Sequence, residues 1–584
     1  MEIAASALQF TTMAVQAFRG CVVAIELIRT AQHMGIDGDI INTALVFEEW
    51  RLLSWAQRAG LHDNTPRQTI NWPLASVILQ QLVTLLSSAE VLQRRYSLRV
   101  TAEDTEAAEE TQAVEAKTRG VAKLLARLKP EFSTVAGKII QENNSTFKRL
   151  RWAVLDKNKL KQFQTDISEL ISKLEFLPDS AVQEEERRLF NRLVREAISL
   201  STTTAEAGQI KQMLDDAPQT RKVDKSINAV AYLKQVRLVL GADKRSDEVT
   251  PNLLNHVGDT AMPKMPKLPI LQRSLEPWSG GELYVNSLGF GTYHNKQVLV
   301  QWKPVGATQW DKYTKQIKRL AVFLMSLSDE SFLSLKCLGY LPLEAQGRHG
   351  IVYSLPEGDT DWDFRSLKQL IQSQPHVSLK RRLELAQALA NTLLQLHTAG
   401  WLHKNLRSDN IIFLAPRGSD DTVFLNSEPY VVGYEYARSD TDDSAKAFTQ
   451  LPDTEVEADL YRHPQARGSN RETFQKRFDM YSLGCIALEL VTWQPLVDVF
   501  SLYTKHDLKA VIGLAQASNE AIALPSLTDL FESEDAIDIV THQAGESVLE
   551  VIRTCFSAEK AKEGEEGLLT DQTAVVEKLR WCRV

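Results

Sequence analysis

The stretch Ser378–Phe413, SLKRRLELAQALANTLLQLHTAGWLHKNLRSDNIIF, decides how the second half of this chain is read. Ser378 is suited to cap a helix, because its hydroxyl can accept from an N–H that the first turn leaves without an intrahelical partner. Leu379, Leu383, Ala386, Leu389, Leu393 and Leu396 then recur at helical spacing and form one apolar stripe. Gly400 supplies the left-handed stop. After it comes HKNLRSDN, His403–Asn410, whose residue types matter more than its periodicity.

Working outward, short β-like runs such as GELYV (281–285) and QVLVQW (297–302) precede this helix, and helices return from about Asp311. Strands first and helices later predict an α+β domain. Upstream, Ile3 to about Leu240 has apolar residues at three- and four-residue spacing, which predicts a helical bundle. In one segment Pro73 opens a helix and Leu74, Val77, Ile78, Gln81, Leu82 and Leu85 share its expected face. The acidic run Glu103, Asp104, Glu106, Glu109, Glu110 and Glu115 reads as a solvated loop or frayed helix end. Between Gly241 and Leu271, Pro251, Pro263, Pro266 and Pro269 interrupt regular helix, since proline lacks a backbone donor and biases its predecessor to extended conformations. The organisation expected is therefore residues 1–240 as a bundle, 241–271 as a proline-containing linker and 272–584 as the α+β domain. No internal repeat of fixed period is visible.

With 584 residues, the chain exceeds a single core at roughly 100–200 residues per domain. Its 67 Lys+Arg against 75 Asp+Glu, a net charge of −8, argue against a nucleic-acid partner, which would require a clustered positive surface. Five scattered cysteines without metal-ligand spacing point to a reducing, cytoplasmic setting and free thiols. Ile3–Phe18 carries no charge, but Glu2 precedes it where a signal peptide wants a basic residue. Its sixteen residues also stop at Arg19, short of the ~18 expected of a spanning helix, so neither a signal nor a span is expected there.

HKNLRSDN resembles the protein-kinase catalytic loop, keeping His403, Leu406 and Asn410 in register. Other kinase landmarks follow the same order: VLVQWK ending in Lys303, the hinge-like YSLPEG from Tyr353, YRHPQ at Tyr461–Gln465, and FDMYSLGCIALEL with Asp479. The resemblance implies a bilobal kinase-like fold in which Asp479 is structural, accepting hydrogen bonds from the catalytic-loop backbone. It also implies a nucleotide site at Lys303, Gly289, Gly291 and Asn410, with no cofactor required and little dependence on magnesium. The reactive positions depart from the pattern, because phosphoryl transfer needs a base and metal-bound phosphates. In the loop of His403, Asn405 and Arg407, Asn405 stands where the base belongs, and Gly433 in VVGYEYAR where a metal-binding Asp belongs. Glu435 is expected to face elsewhere from an extended backbone, and the helix after Asp311 contains no Glu for the usual lysine pair. LGFGTYHN has His294 at its third glycine position. A pseudokinase is the reading that results.

Phe18–Leu61, FRGCVVAIELIRTAQHMGIDGDIINTALVFEEWRLLSWAQRAGL, resembles the HeLo domain of fungal HET-S-type incompatibility proteins at Phe18, Cys21, Gly35, Asp37, Glu49, Arg51, Leu52, Trp55 and Gly60. That resemblance implies a regulated cell-death or heterokaryon-incompatibility effector whose first helix, with Ile3, Ala7, Phe10, Met13, Ala14, Ala17 and Phe18 on one face, meets membrane lipids after activation. Self-association or an upstream signalling protein would trigger the release, with recruitment from the cytoplasm to the plasma membrane. Bundle plus pseudokinase is similar in architecture to the mixed-lineage kinase-like pseudokinase of animal necroptosis. Two alternatives stand beside this reading. One is an active divergent Ser/Thr kinase with a helical docking module, using Asn410 and a displaced acid such as Glu435 for metal; the other is a non-catalytic scaffold.

Overall fold

The computed structural model describes residues 2–30, 36–61, 65–67, 69–96, 98–102, 121–128, 130–142, 150–154, 157–217, 224–242, 275–277, 288–327, 329–358, 360–440, 456–468, 471–504, 507–518, 524–532, 534–557 and 565–582. The chain divides into two compact units, Met1–Gln235 with His256–Pro263, and Val236–Asn255 with Lys264–Val584. The acidic run, the GELYV segment and the proline-rich residues all lie outside the described residues, and Gly241–Ala242 is the end of a helix.

The first unit is a bundle built on α1 (Glu2–Thr30), α2 (Ile36–Ala59), α3 (Trp72–Ser87) and α4 (Ala89–Tyr96), followed by β1 (Leu98–Ala102), α5 (Val121–Leu128), α6 (Pro130–Glu142) and β2 (Leu150–Val154). It is completed by α7 (Lys157–Glu175), α8 (Ser180–Leu200), α9 (Thr204–Asp215) and the first half of α10 (Lys225–Ala242). Helix α1 packs along α3, burying Ala14, Ala17, Phe18, Cys21, Val22 and Ile25 at helical spacing. Gly20 faces Val83 so closely that a Cβ there would lie 3.2 Å from it. One correction is the face of α3: Ala75, Ile78, Leu79, Leu82 and Leu86 are buried, while Leu74 and Val77 are exposed. Both stripes have helical spacing, and the Trp72 indole, donating to the Arg67 carbonyl at 2.9 Å, belongs to the buried one. A second correction is the antiparallel β1–β2 ladder, pairing Leu98 with Val154 and Ala102 with Leu150, in a region read as all-helical. LRVTA and LRWAV are too short for a stable isolated helix and suit strand pairing.

Arg51 shows why the EEWRLLSWAQRAGL run matters structurally. Its buried guanidinium donates to Glu48 at 2.7 Å, Ser168 at 3.0 Å, Ser172 at 2.8 Å and Glu175 at 2.8 Å, tying α2 to α7. A buried cation is tolerable when every donor finds such a partner. Gly60 ends α2 at φ +78°, where a Cβ would overlap the Thr65 carbonyl.

The second unit begins with a five-stranded antiparallel sheet of order β3-β4-β5-β7-β6, formed by β3 (Leu275–Pro277), β4 (Leu288–Tyr293), β5 (Lys296–Pro304), β6 (Cys337–Leu343) and β7 (Arg348–Ser354). Val298, Val300, Leu341 and Val352 form a core on it, and α11 (Trp310–Met325) packs against β6. A second sheet of β8 (Trp362–Ser366), β10 (Ile411–Pro416) and β11 (Pro429–Val431) adjoins α12 (Leu367–Ser373), while β9 (Trp401–Leu402) pairs with β12 (Arg438–Ser439). Helix α13 (Leu379–Thr398) is capped by Ser378, which accepts from Arg381 N–H at 3.2 Å, and stops at Gly400 with φ +80°. After α14 (Asp421–Asn426), helix α15 (Lys476–Thr492) is buried on all sides from Phe478 to Val491.

Candidate functional site

The loop after α13 is held from beneath by α15. The carboxylate of Asp479, at the start of that helix, accepts from the backbone N–H of His403 and of Lys404, both at 2.8 Å, and lies 3.1 Å from His397 Nε2. The other His397 nitrogen meets Gln572. Such charge-assisted bonds to a buried carboxylate fix a loop firmly. Within it, His403 lies 3.1 Å from the Val432 carbonyl through Nε2, and Nδ1 accepts from Asn405 N–H at 3.3 Å, an arrangement of the neutral ring. Burial pushes that imidazole down to about 4, so it is neutral at physiological pH. Its role is to hold the loop's shape. Arg407 is buried beside Asp409, at 3.9 Å, and Asp409 also faces Lys368 at 3.7 Å.

The reactive positions gather around a turn that the sequence reading did not anticipate. Gly433 adopts φ +86° and starts a 3-10 turn, Tyr434–Tyr436, so successive side chains rotate by about 120° instead of alternating as in a strand. Glu435 therefore does not face elsewhere, contrary to the extended-backbone expectation. It accepts from the Asn405 side-chain amide at 3.1 Å and from Gln301 of β5. Lys303, buried on the same strand, places its ammonium 3.5 Å from the centre of the Tyr436 ring, within cation–π range. Asn410 turns its amide onto the Asn405 carbonyl at 2.7 Å. The structure thus brings together Lys303, Asn405, Asn410 and Glu435; Gln301 and Tyr436 belong with them and were missed by sequence reading.

Gly289 and Gly291 require a correction. They lie inside the β4–β5 ladder, opposite Val300 and Val298, and the strands join through the two-residue turn His294–Asn295, both with left-handed φ. Residues in such a ladder are committed to sheet pairing and do not form the crest of a phosphate-covering loop.

Magnesium is usually held by one or two carboxylates with water and phosphate oxygens; Gly433 brings none, and the cluster's carboxylate, Glu435, is engaged by the Asn405 and Gln301 amides. A Cβ at 433 would come within 2.5 Å of Asn410 Nδ2, so no side chain fits there while Asn410 holds its present place. Among the described residues, no three His, Cys, Asp or Glu side chains converge to hold a metal ion.

In the first unit, Ala14, Ala17 and Phe18 of the expected apolar face are buried, Phe10 is half-buried and Met13 is 43% exposed. The side chains of Ile3 and Ala7 lie outside the described residues. Helix α1 does not stop at Arg19: its segment Gln9–Arg29, with mean hydropathy 1.4, is long and apolar enough to cross a membrane, correcting the reading of the sixteen-residue run alone. Next to Phe10 and Met13 opens a groove of about 620 Å³, walled by Val77 and Leu85 of α3, Val91 of α4 and Leu170 of α7.

Comparison with known proteins bears on both units. Residues 7–213 match the HeLo family, described as prion-inhibition and propagation. The HeLo-matching residues thus include α1 from Ala7 onward, the groove and the Arg51 network. Residues 343–521 match a family described as a domain of unknown function, DUF7580, which takes in the loop of His403 and Asp479. A probable serine/threonine-protein kinase of Streptomyces coelicolor is 27% identical over 133 residues, 23% of this chain and 18% of that protein. The match thus spans less than a fifth of that relative's length.

Proposed function

We propose that this chain is a regulated cell-death or incompatibility effector, in which a membrane-targeting HeLo bundle is controlled by a catalytically impaired kinase-like domain. The HeLo match over residues 7–213 carries this reading. The apolar helix α1 supports it, since a helix with a buried aliphatic stripe and an exposed Met13 can exchange protein contacts for lipid. The kinase-like character of the second unit is supported by the small antiparallel sheet followed by helices, the Asp479 clasp on the His403 loop and the likeness to the Streptomyces coelicolor protein. Impairment is supported by the side chains themselves: an amide at Asn405 cannot take a proton at neutral pH, and Gly433 brings no metal ligand. The partners in this reading are membrane lipids at the plasma membrane, reached from the cytoplasm after self-association or an upstream protein releases the bundle.

Dye release from anionic vesicles tests the proposal. Residues 1–242 should permeabilise vesicles more strongly than the full chain, and removal of residues 2–20 should abolish release by either. Equal release with and without those residues would exclude α1 as the membrane element. Metal-dependent phosphate incorporation that Lys303→Met removes would instead favour the active-kinase alternative.

A further inference from the structure

We propose that Glu435 is a built-in anionic ligand which, with the Tyr436 ring as its lid, occupies the Lys303 site and closes it to nucleotides. This inference rests on reading that cluster as the counterpart of a kinase nucleotide site. An anion entering beside Lys303 needs polar N–H donors to replace its hydration, and the donors here are already given to this chain's own carboxylate. The Gln301 amide and the Asn405 amide, from two separate elements, both point at Glu435. The other end of the Gln301 side chain is held too, its oxygen accepting from the Tyr353 hydroxyl at 3.3 Å. The Lys303 ammonium, the cation that would meet a phosphate, is covered by the Tyr436 ring at 3.5 Å.

The backbone makes this arrangement possible only at a glycine. Gly433 at φ +86° turns the chain so that residues 435 and 436 reach the cluster, and the absence of a Cβ lets Asn410 sit against it. One change of residue type at 433 therefore removes the metal ligand and creates the turn that fills the site. Displacing the turn would expose one cation and two amide donors with no carboxylate beside them, so the opened site would bind phosphate oxygens with little regard to magnesium.

The experiment measures binding of a fluorescent N-methylanthraniloyl ATP to the full-length chain, with magnesium and with EDTA. Glu435→Ala combined with Tyr436→Ala should bind at least tenfold more tightly than wild type, with Kd changing less than twofold between the two conditions. Adding Lys303→Met to that variant should remove the gain, and Tyr436→Phe, which keeps the ring, should stay closed. Glu435→Gln preserves the side-chain shape and removes only the charge; it should give a smaller gain, and it decides the matter if the double variant fails to fold. Equal affinity of wild type and opened variants would overturn the plug while leaving the nucleotide-site reading intact. A folded variant that binds no better than background would overturn the nucleotide-site reading, and the plug with it.

Discussion

Two buried carboxylates, one in each unit, are treated in opposite ways. Asp479 is fully buried and engaged by two backbone N–H groups and a histidine. Glu186, on α8 of the bundle, is also buried, but neither of its oxygens has a hydrogen-bond partner among the described residues, and its nearest cation is Arg58 at 3.8 Å. Around the loop that Asp479 holds, Glu435 and Tyr436 fill the polar cluster, whereas α1 and α3 of the bundle leave Met13, Leu74 and Val77 exposed at 43%, 45% and 51%. A fully engaged carboxylate makes a fixed loop, while an unsatisfied acid and uncovered apolar side chains lower the cost of local rearrangement. The difference suits a loop that keeps its shape and a bundle face that can rearrange.

The comparison can be broken most severely at Asp479. Asp479→Ala leaves buried N–H donors without their acceptor and should cost about 3–5 kcal/mol, seen as a lower urea midpoint for the second unit. If the midpoint shift multiplied by the urea m-value comes to less than a tenth of that free energy, the clasp is not what holds the loop. Gly433→Asp comes next: a left-handed φ plus the overlap with Asn410 should cost about 1–3 kcal/mol. It should also confer no magnesium-dependent phosphotransfer; detectable transfer would show that Asn410 yields and that the site can be rebuilt.

The pH test sharpens the other side. Burial, reinforced by the Glu175 charge, raises the Glu186 carboxyl from 4.5 to about 7. The folded state therefore holds a proton between those values that the unfolded state has lost, and the stabilisation present below about 4.5 disappears as pH rises through 7. Melting temperature of the bundle should fall from pH 5 to pH 8, and Glu186→Gln should flatten that slope. A slope unchanged by the substitution would mean that the carboxyl is hydrated in the folded state. The smallest effect is expected at the groove, where Val77→Gln should alter stability by less than about 0.5 kcal/mol. It should nonetheless weaken vesicle binding if the exposed apolar residues face lipid.

Local patterns made much of this legible in advance. Ser378, the leucine spacing and Gly400 define α13 because caps and left-handed stops act within one turn. The apolar texture of the first 240 residues likewise announces helices, whose period is a property of the backbone. Which stripe of α3 is buried was not legible, because Leu74–Ile78–Leu82 and Ala75–Ile78–Leu82 satisfy one period equally, and α1 and Trp72 choose between them. The full length of α1 was not legible from its uncharged run, because a helix tolerates a charge such as Arg19 at the edge of its buried stripe.

At the site the division follows the same physics. Residue types alone determined that Asn405 cannot act as a base and that Gly433 cannot ligate a metal, since both are properties of a side chain wherever it sits. That Glu435 and Tyr436 take the places beside Gln301, Asn405 and Lys303 was decided only by tertiary structure. Gln301 and Lys303 lie more than a hundred positions from Glu435 along the chain and Asn405 lies 30 away, and one left-handed φ at Gly433 brings Glu435 and Tyr436 to them.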